Sequence, residues 1–213
     1  MAAPLLMTFR MSVDDPDAMP PSPAEVAVIG RSNVGKSSLV NSLARTRELA
    51  RTSKTPGRTQ LLNVFDIDRR KGMPGTLVDL PGYGYAKAPK KHRETWQARM
   101  ERYLLDREPL VMVMALVDGE VGPTRLDVAT VQWMRFHDIP FTVVATKHDK
   151  VRSSARNRRR ADLAAGVGLL PEDIVWVSAE KNTGIDRLRT LILDWLQTDP
   201  AGRSGPAGAA TAG

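Results

Sequence analysis

Apolar residues along this chain gather into short runs separated by polar stretches of helical spacing. Glu25–Ile29 (EVAVI), Leu61–Ile67 (LLNVFDI), Thr76–Val78, Leu110–Val117, Phe141–Ala145 and Ile174–Val177 read as strands. Segments near 36–45, 90–106, 124–137, 154–165 and 184–197 read as helices. Strand alternating with helix predicts an α/β fold, a mostly parallel sheet with helices on both faces. Leu110–Val117 is apolar throughout, as a strand buried on both sides should be. In such folds ligands sit beyond the carboxyl ends of the strands, so the loops at those ends are where chemistry is expected.

The pattern fades at both ends. Residues 1–23 carry Pro4, Pro16, Pro20, Pro21 and Pro23 without apolar periodicity and read as a loose arm. Residues 200–213, PAGRSGPAGAATAG, lack the large side chains that offset ordering entropy and read as a disordered tail. The folded unit expected is one domain over 24–199, in line with a prior of about 150 residues per domain.

Composition narrows the chemistry. The chain has 213 residues and no cysteine, which excludes thiolate catalysis and cysteine-ligated metals. Its three histidines, His92, His137 and His148, lack metal-ligand spacing. The apolar run from Leu110 to Val117 falls far short of the roughly 18 residues a membrane span requires. Asp14, Asp15 and Asp17 argue against a signal peptide. A soluble, cytoplasmic monomer is expected. The net charge is +7, and arginine outnumbers lysine among the 31 basic residues. Guanidinium forks match phosphate geometry, so nucleic acid joins the candidate partners.

The motifs lie at the predicted strand ends. Gly30-Arg-Ser-Asn-Val-Gly35-Lys36-Ser37 fits G-x-x-x-x-G-K-[ST], following a strand and opening a helix. Its glycines let successive N–H groups turn inward around phosphate oxygens, Lys36 supplies a point charge, and the Ser37 hydroxyl is a magnesium ligand. Asp79-Leu80-Pro81-Gly82 follows the strand Thr76–Val78. Asp79 can hold magnesium through water, and Gly82 can offer its N–H to a γ-phosphate. Thr146-Lys147-His148-Asp149 ends the strand FTVVA. A carboxylate there pairs with the N1–H and 2-amino group of guanine, a donor pair adenine lacks. Ser178-Ala179-Glu180-Lys181 follows the last strand and can back the guanine carbonyl with a main-chain N–H. Together these point to GTP rather than ATP.

The stretches GRSNVGKSSLVNSL (30–43), SKTPGRTQ (53–60), DLPGYGYAK (79–87), DGEVGPTRLD (118–127), TKHDK (146–150) and SAEKNTGID (178–186) closely resemble the EngB (YihA/YsxC) family of bacterial GTPases, of the TRAFAC class. The resemblance covers residues 24–197. It implies a P-loop GTPase with a six-stranded sheet whose second strand is antiparallel. It implies GTP hydrolysis at a low intrinsic rate, magnesium, and a role in assembly of the large ribosomal subunit, with some members linked to cell division. The expected partners are GTP and GDP, ribosomal RNA and ribosomal proteins, with no membrane.

Carried over residue by residue, the resemblance gives a GTP-binding set. Gly30, Arg31, Ser32, Asn33, Val34, Gly35, Lys36, Ser37 and Ser38 come from the phosphate loop, and Thr59, Asp79 and Gly82 from the switch regions. Thr146, Lys147, Asp149, Ser178 and Ala179 come from the base loops. Ser37, Thr59 and Asp79 would hold magnesium, with Thr55 the fallback for Thr59. Lys36, Thr59, Gly82 and Asn33 would serve hydrolysis. Asn33 has two readings, a ligand of potassium beside the phosphates or a hydrogen bond to the loop backbone. Arg58 is a candidate arginine finger in cis. Tyr83 stands where Ras-like proteins place a water-orienting glutamine, so unassisted hydrolysis should be slow. Thr146 replaces an asparagine, which should weaken bracing to the phosphate loop. His148 is expected to be a solvent-exposed loop residue.

Two basic groups complete the reading: Lys150, Arg152, Arg156, Arg158, Arg159 and Arg160, and Lys87, Lys90, Lys91 and Arg93 after the switch. Each is a solvated face or a contact for RNA phosphates. Tyr83 and Tyr85 could stack on bases, but their glycine-rich flanks make switch flexibility the simpler reading. Two other functions compete: a signalling or trafficking GTPase, which would want a lipid anchor, and an RNA-binding module with a vestigial nucleotide site.

Overall fold

The computed structural model describes residues 3–50, 61–68, 75–83 and 90–198, without the side chains of 90–96. Among these residues seven strands form one sheet: β1 (Leu6–Val13), β2 (Glu25–Gly30), β3 (Leu62–Asp68), β4 (Gly75–Asp79), β5 (Leu110–Asp118), β6 (Phe141–Thr146) and β7 (Val175–Trp176). Their order across the sheet is β1-β3-β4-β2-β5-β6-β7. Strand β3 runs antiparallel to both β1 and β4, and the remaining pairs are parallel.

Among the described residues five α-helices cover the sheet: α1 (Lys36–Ala44), α2 (Lys90–Asp106), α3 (Arg125–Phe136), α4 (Arg156–Val167) and α5 (Ile185–Trp195). Alternation along the strands separates two cores. Val26 and Val28 of β2 pack with Leu39 and Leu43 of α1 and Leu188 and Ile192 of α5. Ala27 and Ile29 face the other way, toward Tyr103 of α2, Met134 of α3 and Leu163 of α4. All nine residues of β5 are buried, since both faces are covered. At the amino end of the sheet, Glu25 is buried and accepts from Arg107 at 2.6 Å and Tyr103 at 3.1 Å, which pins α2 to the start of β2. The carboxyl ends of β2, β4, β5, β6 and β7 are left to build a site.

The arm expected over 1–23 is not loose at residues 6–13. They form β1, a seventh strand added to the six expected, with Met7, and Leu5 just before the strand, buried on the α1 side. Its alternation is broken by a bulge at Arg10, between Phe9 and Met11. Met7 therefore faces one core while Met11 and Val13 face the other, which erases the period-two signal. The prolines all lie outside the strand. The bulge, with Arg10 paired to Asp66 at 3.2 Å, blunts the exposed edge. Beyond it, Asp15 and Asp17 pair with Arg102 of α2. The tail over 200–213 lies outside the described residues. Among the described residues no helix is long and apolar enough to cross a membrane.

Candidate nucleotide site

The loop between β2 and α1 turns on conformations that few side chains accept. Gly35 has φ 108° and Asn33 φ 65°. A Cβ at Gly30 would lie 2.9 Å from Val34 and 3.0 Å from Leu116, so only glycine lets the loop close over β5. Val34 is buried and anchors the turn. The first turn of α1 begins at Lys36, whose Nζ donates to the carbonyl of Gly30 at 3.4 Å. Burial holds the Lys36 ammonium below its ordinary pKa, partly offset by the nearby Asp79 carboxylate.

Asp79 ends β4 in the same pocket. Burial pushes its pKa up to about 6, against the pull of Lys36, and its Oδ1 has no hydrogen-bond partner among the described residues. A buried carboxylate oxygen left without a partner beside a lysine and a serine helix start fits a magnesium site that takes its other ligands from phosphates and water. Ser37 is the second residue of α1.

Gly82 lies directly against the phosphate loop. A Cβ there would meet Lys36 Nζ and Ser32 N at 3.0 Å. The next residue is stitched to the loop on both sides: Tyr83 N donates to Gly30 O at 3.2 Å, and Ser32 N to Tyr83 O at 3.1 Å. The Tyr83 ring turns into the core, and its hydroxyl donates to Asp127 at 2.8 Å. Burial first, then the Asp127 charge, raises the phenol pKa. Tyr83 is therefore not available to stack on bases, and that expectation is corrected.

The base loops reach the same end of the sheet. Thr146 donates its hydroxyl to the carbonyl of Val34 at 2.7 Å, so the short side chain braces the phosphate loop where a weaker brace was expected. Lys147 adopts a left-handed φ of 57°, and its Nζ bonds Asp118 at 2.7 Å. Asp149 accepts from the Ser178 hydroxyl at 2.6 Å, and that hydroxyl also caps Lys181 N at 3.0 Å. The loop after β7 thereby holds the carboxylate. His148 is buried, not exposed as expected. Its ring lies 5.4 Å from that of Trp176, since its main chain is tied to Val177 O at 3.0 Å. Burial lowers its pKa from 6.5, and Arg156 and Arg160 lower it further against Asp149.

The stretch DGEVGPTRLD holds two aspartates, Asp118 and Asp127, that carry no assigned role in the sequence reading. Asp118, at the end of β5, accepts from Lys147 and from the N–H groups of Glu120 and Val121. Its carboxyl is held low despite burial by the Lys147 bond and those N–H groups. Asp127 closes a capping box with Thr124 at the start of α3. The T-x-x-D spacing was the signal for that cap; nothing local marked its bond to Tyr83. Arg31 spans the two acids, 3.4 Å from Asp118 and 3.9 Å from Asp127.

Among the described residues the exposed Asn33 side chain makes no hydrogen bond to the loop backbone. Thr55, Arg58, Thr59, Tyr85 and Lys87 lie outside the described residues, as do the side chains of Lys90, Lys91 and Arg93. In the other basic group, Arg158 is 88% exposed and pairs with Asp162 at 3.7 Å. Arg159 donates to Val121 O at 3.3 Å, Arg156 to Val151 O at 3.3 Å, and Arg160 lies 5.9 Å over Trp176. The run is thus partly structural.

Fold and loops together define a P-loop GTPase. Residues 25–147 match the family model described as a 50S ribosome-binding GTPase. The probable GTP-binding protein EngB of Desulfosudis oleivorans is 40% identical over 179 residues, covering 84% of this chain and 89% of the relative. The EngB of Pelotomaculum thermopropionicum is 44% identical over 173 residues, covering 81% and 85%. The crystal structure of a probable GTP-binding protein EngB superposes with TM-score 0.63 at 27% identity, covering 82% of this chain and 99% of the other. Era bound to MgGDPNP and 16S ribosomal RNA superposes at TM-score 0.66 and 24% identity over 82% of this chain and 57% of Era, a likeness of fold. The chain belongs to the EngB family of GTP-binding proteins, P-loop enzymes that hydrolyse GTP to GDP and phosphate.

Proposed function

We propose that this chain is a GTP-dependent switch in assembly of the large ribosomal subunit, acting as a cytoplasmic monomer, with the link to cell division that the resemblance implies. One observation carries the switch: the phosphate loop, the Asp79–Gly82 segment and both base loops meet at one end of the sheet, with Gly82 so near the phosphate loop that a Cβ there would meet Lys36 Nζ at 3.0 Å. In this reading Asp149 and Lys147 select guanine, backed by Ser178 and Ala179. The loop from Gly30 to Ser38 cradles the phosphates. Ser37, Thr59 and, through water, Asp79 would hold magnesium, which when bound would neutralise charge on the outer phosphates.

Lys36 then orients the transferred phosphoryl group, and Gly82 reports its presence. The buried Tyr83 presents no amide to a water, so turnover without a partner is of the order of 10⁻³ s⁻¹ or lower. The partner reading is supported by the family model's description and by the exposed Arg158 in the basic run of α4.

Co-sedimentation with purified ribosomal subunits tests it. Binding to the large subunit should be stronger with a GTP analogue than with GDP. Replacing Arg158, Arg159 and Arg160 together should flatten the salt dependence, which runs at about 0.7–0.9 log units per phosphate contact. Equal binding to both subunits in both nucleotide states would contradict the reading.

A further inference from the structure

Tyr83 directly follows Gly82, at which a Cβ would meet Lys36 Nζ at 3.0 Å. Its hydroxyl donates to Asp127 Oδ1 at 2.8 Å, and Asp127 is fully buried. The other oxygen of Asp127 accepts from Thr124 N and Oγ1 at 2.8 Å each and lies 3.9 Å from Arg31 Nε. Arg31 reaches Asp118 Oδ2 at 3.4 Å, and the same oxygen receives Lys147 at 2.7 Å. One line of alternating charge therefore runs from the residue after Gly82, past the phosphate loop, to the base loop.

Packing alone does not call for this arrangement. Phenylalanine fills the same space without taking a hydroxyl out of water. The hydroxyl earns its place by fixing residue 83 to α3, while its main chain pairs with Gly30 and Ser32. These bonds, together with a hydrogen bond from the side chain of Thr130 to the same hydroxyl, tie the residue next to Gly82 to both α3 and the phosphate loop before a ligand arrives. Such preorganisation favours a ligand that uses Gly82 and is neutral toward one that does not.

We propose that Tyr83 and Asp127 are positioning residues that hold Gly82 for the γ-phosphate and so set the preference for triphosphate over diphosphate. This rests on the reading of Gly82 as the γ-phosphate contact. The test is calorimetric titration of the full chain, with magnesium, using GDP and a non-hydrolysable GTP analogue. Tyr83→Phe should weaken the analogue on the order of tenfold, about one hydrogen bond to a charged group, and leave GDP within about twofold. Asp127→Asn should give the same selective loss, and serves alone if Tyr83→Phe does not fold. Gly82→Ala is the control for the underlying reading and should also lose the analogue selectively. A selective loss in Gly82→Ala with equal losses, or none, in the other two variants would overturn the proposal alone. No selective loss in any of the three would overturn the γ-phosphate reading and the proposal with it.

Discussion

Thr146 and Val34 are 112 positions apart, yet the threonine hydroxyl donates to the valine carbonyl at 2.7 Å. That bond is buried and joins the loop expected to read the base to the loop expected to hold the phosphates. Thr146→Val keeps the shape and leaves the Val34 carbonyl without this donor, at a cost of about 1–3 kcal/mol. GTP and GDP should weaken together, because neither the γ-phosphate nor magnesium is involved. Titration of both nucleotides checks this; a loss confined to GTP would contradict it.

His148 carries a pH dependence of defined sign. Its folded pKa is lowered from 6.5 by burial beside Trp176 and by Arg156 and Arg160, against Asp149. The unfolded chain therefore takes up this proton first as the pH falls. Stability from this residue is full above about pH 6.5 and declines below it. Asp79, raised to about 6, acts with the opposite sign in the same window, but it is present in wild type and variant alike. Thermal melts from pH 7.5 to 5.5 should show His148→Gln losing less stability on acidification than wild type. Parallel curves would remove His148 as a contributor.

Asn33 sits at the rim of the phosphate loop with φ 65°, exposed and without a bond to the loop backbone among the described residues. If it ligates a monovalent cation, potassium should raise GTP turnover above the rate in sodium, and Asn33→Ala should abolish the difference. Phosphate release in the two salts measures it. Equal wild-type rates would leave Asn33 as a turn residue.

Much of the fold was legible because its strands are buried on both faces or alternate cleanly. Leu110–Val117 and the β2 run announce themselves, and the motifs follow because phosphate loops need glycine at fixed places. What escaped the sequence has a physical reason in each case. Strand β1 was hidden by the bulge at Arg10, which sends Met7 and Met11 to opposite cores. His148 looked like a loop residue because nothing nearby in sequence predicts that Trp176 covers it. The Tyr83–Asp127 bond joins residues 44 positions apart, so no local pattern encodes it. Local periodicity reveals elements, whereas contacts between loops depend on the order of strands in the sheet.

Guanine selection rests on Asp149, whose carboxylate accepts from the Ser178 hydroxyl at 2.6 Å. The most direct measurement is nucleotide titration of wild type and Asp149→Asn with GTP, ATP and xanthosine triphosphate. Wild type should prefer GTP over ATP by several orders of magnitude, since a site built around two donors rejects a base that lacks them by about 10⁴–10⁵. Asp149→Asn should lose GTP and gain xanthosine triphosphate, because its amide can donate to the added carbonyl of xanthine. ATP binding as tight as GTP in wild type, or no exchange of preference in the variant, would contradict the account.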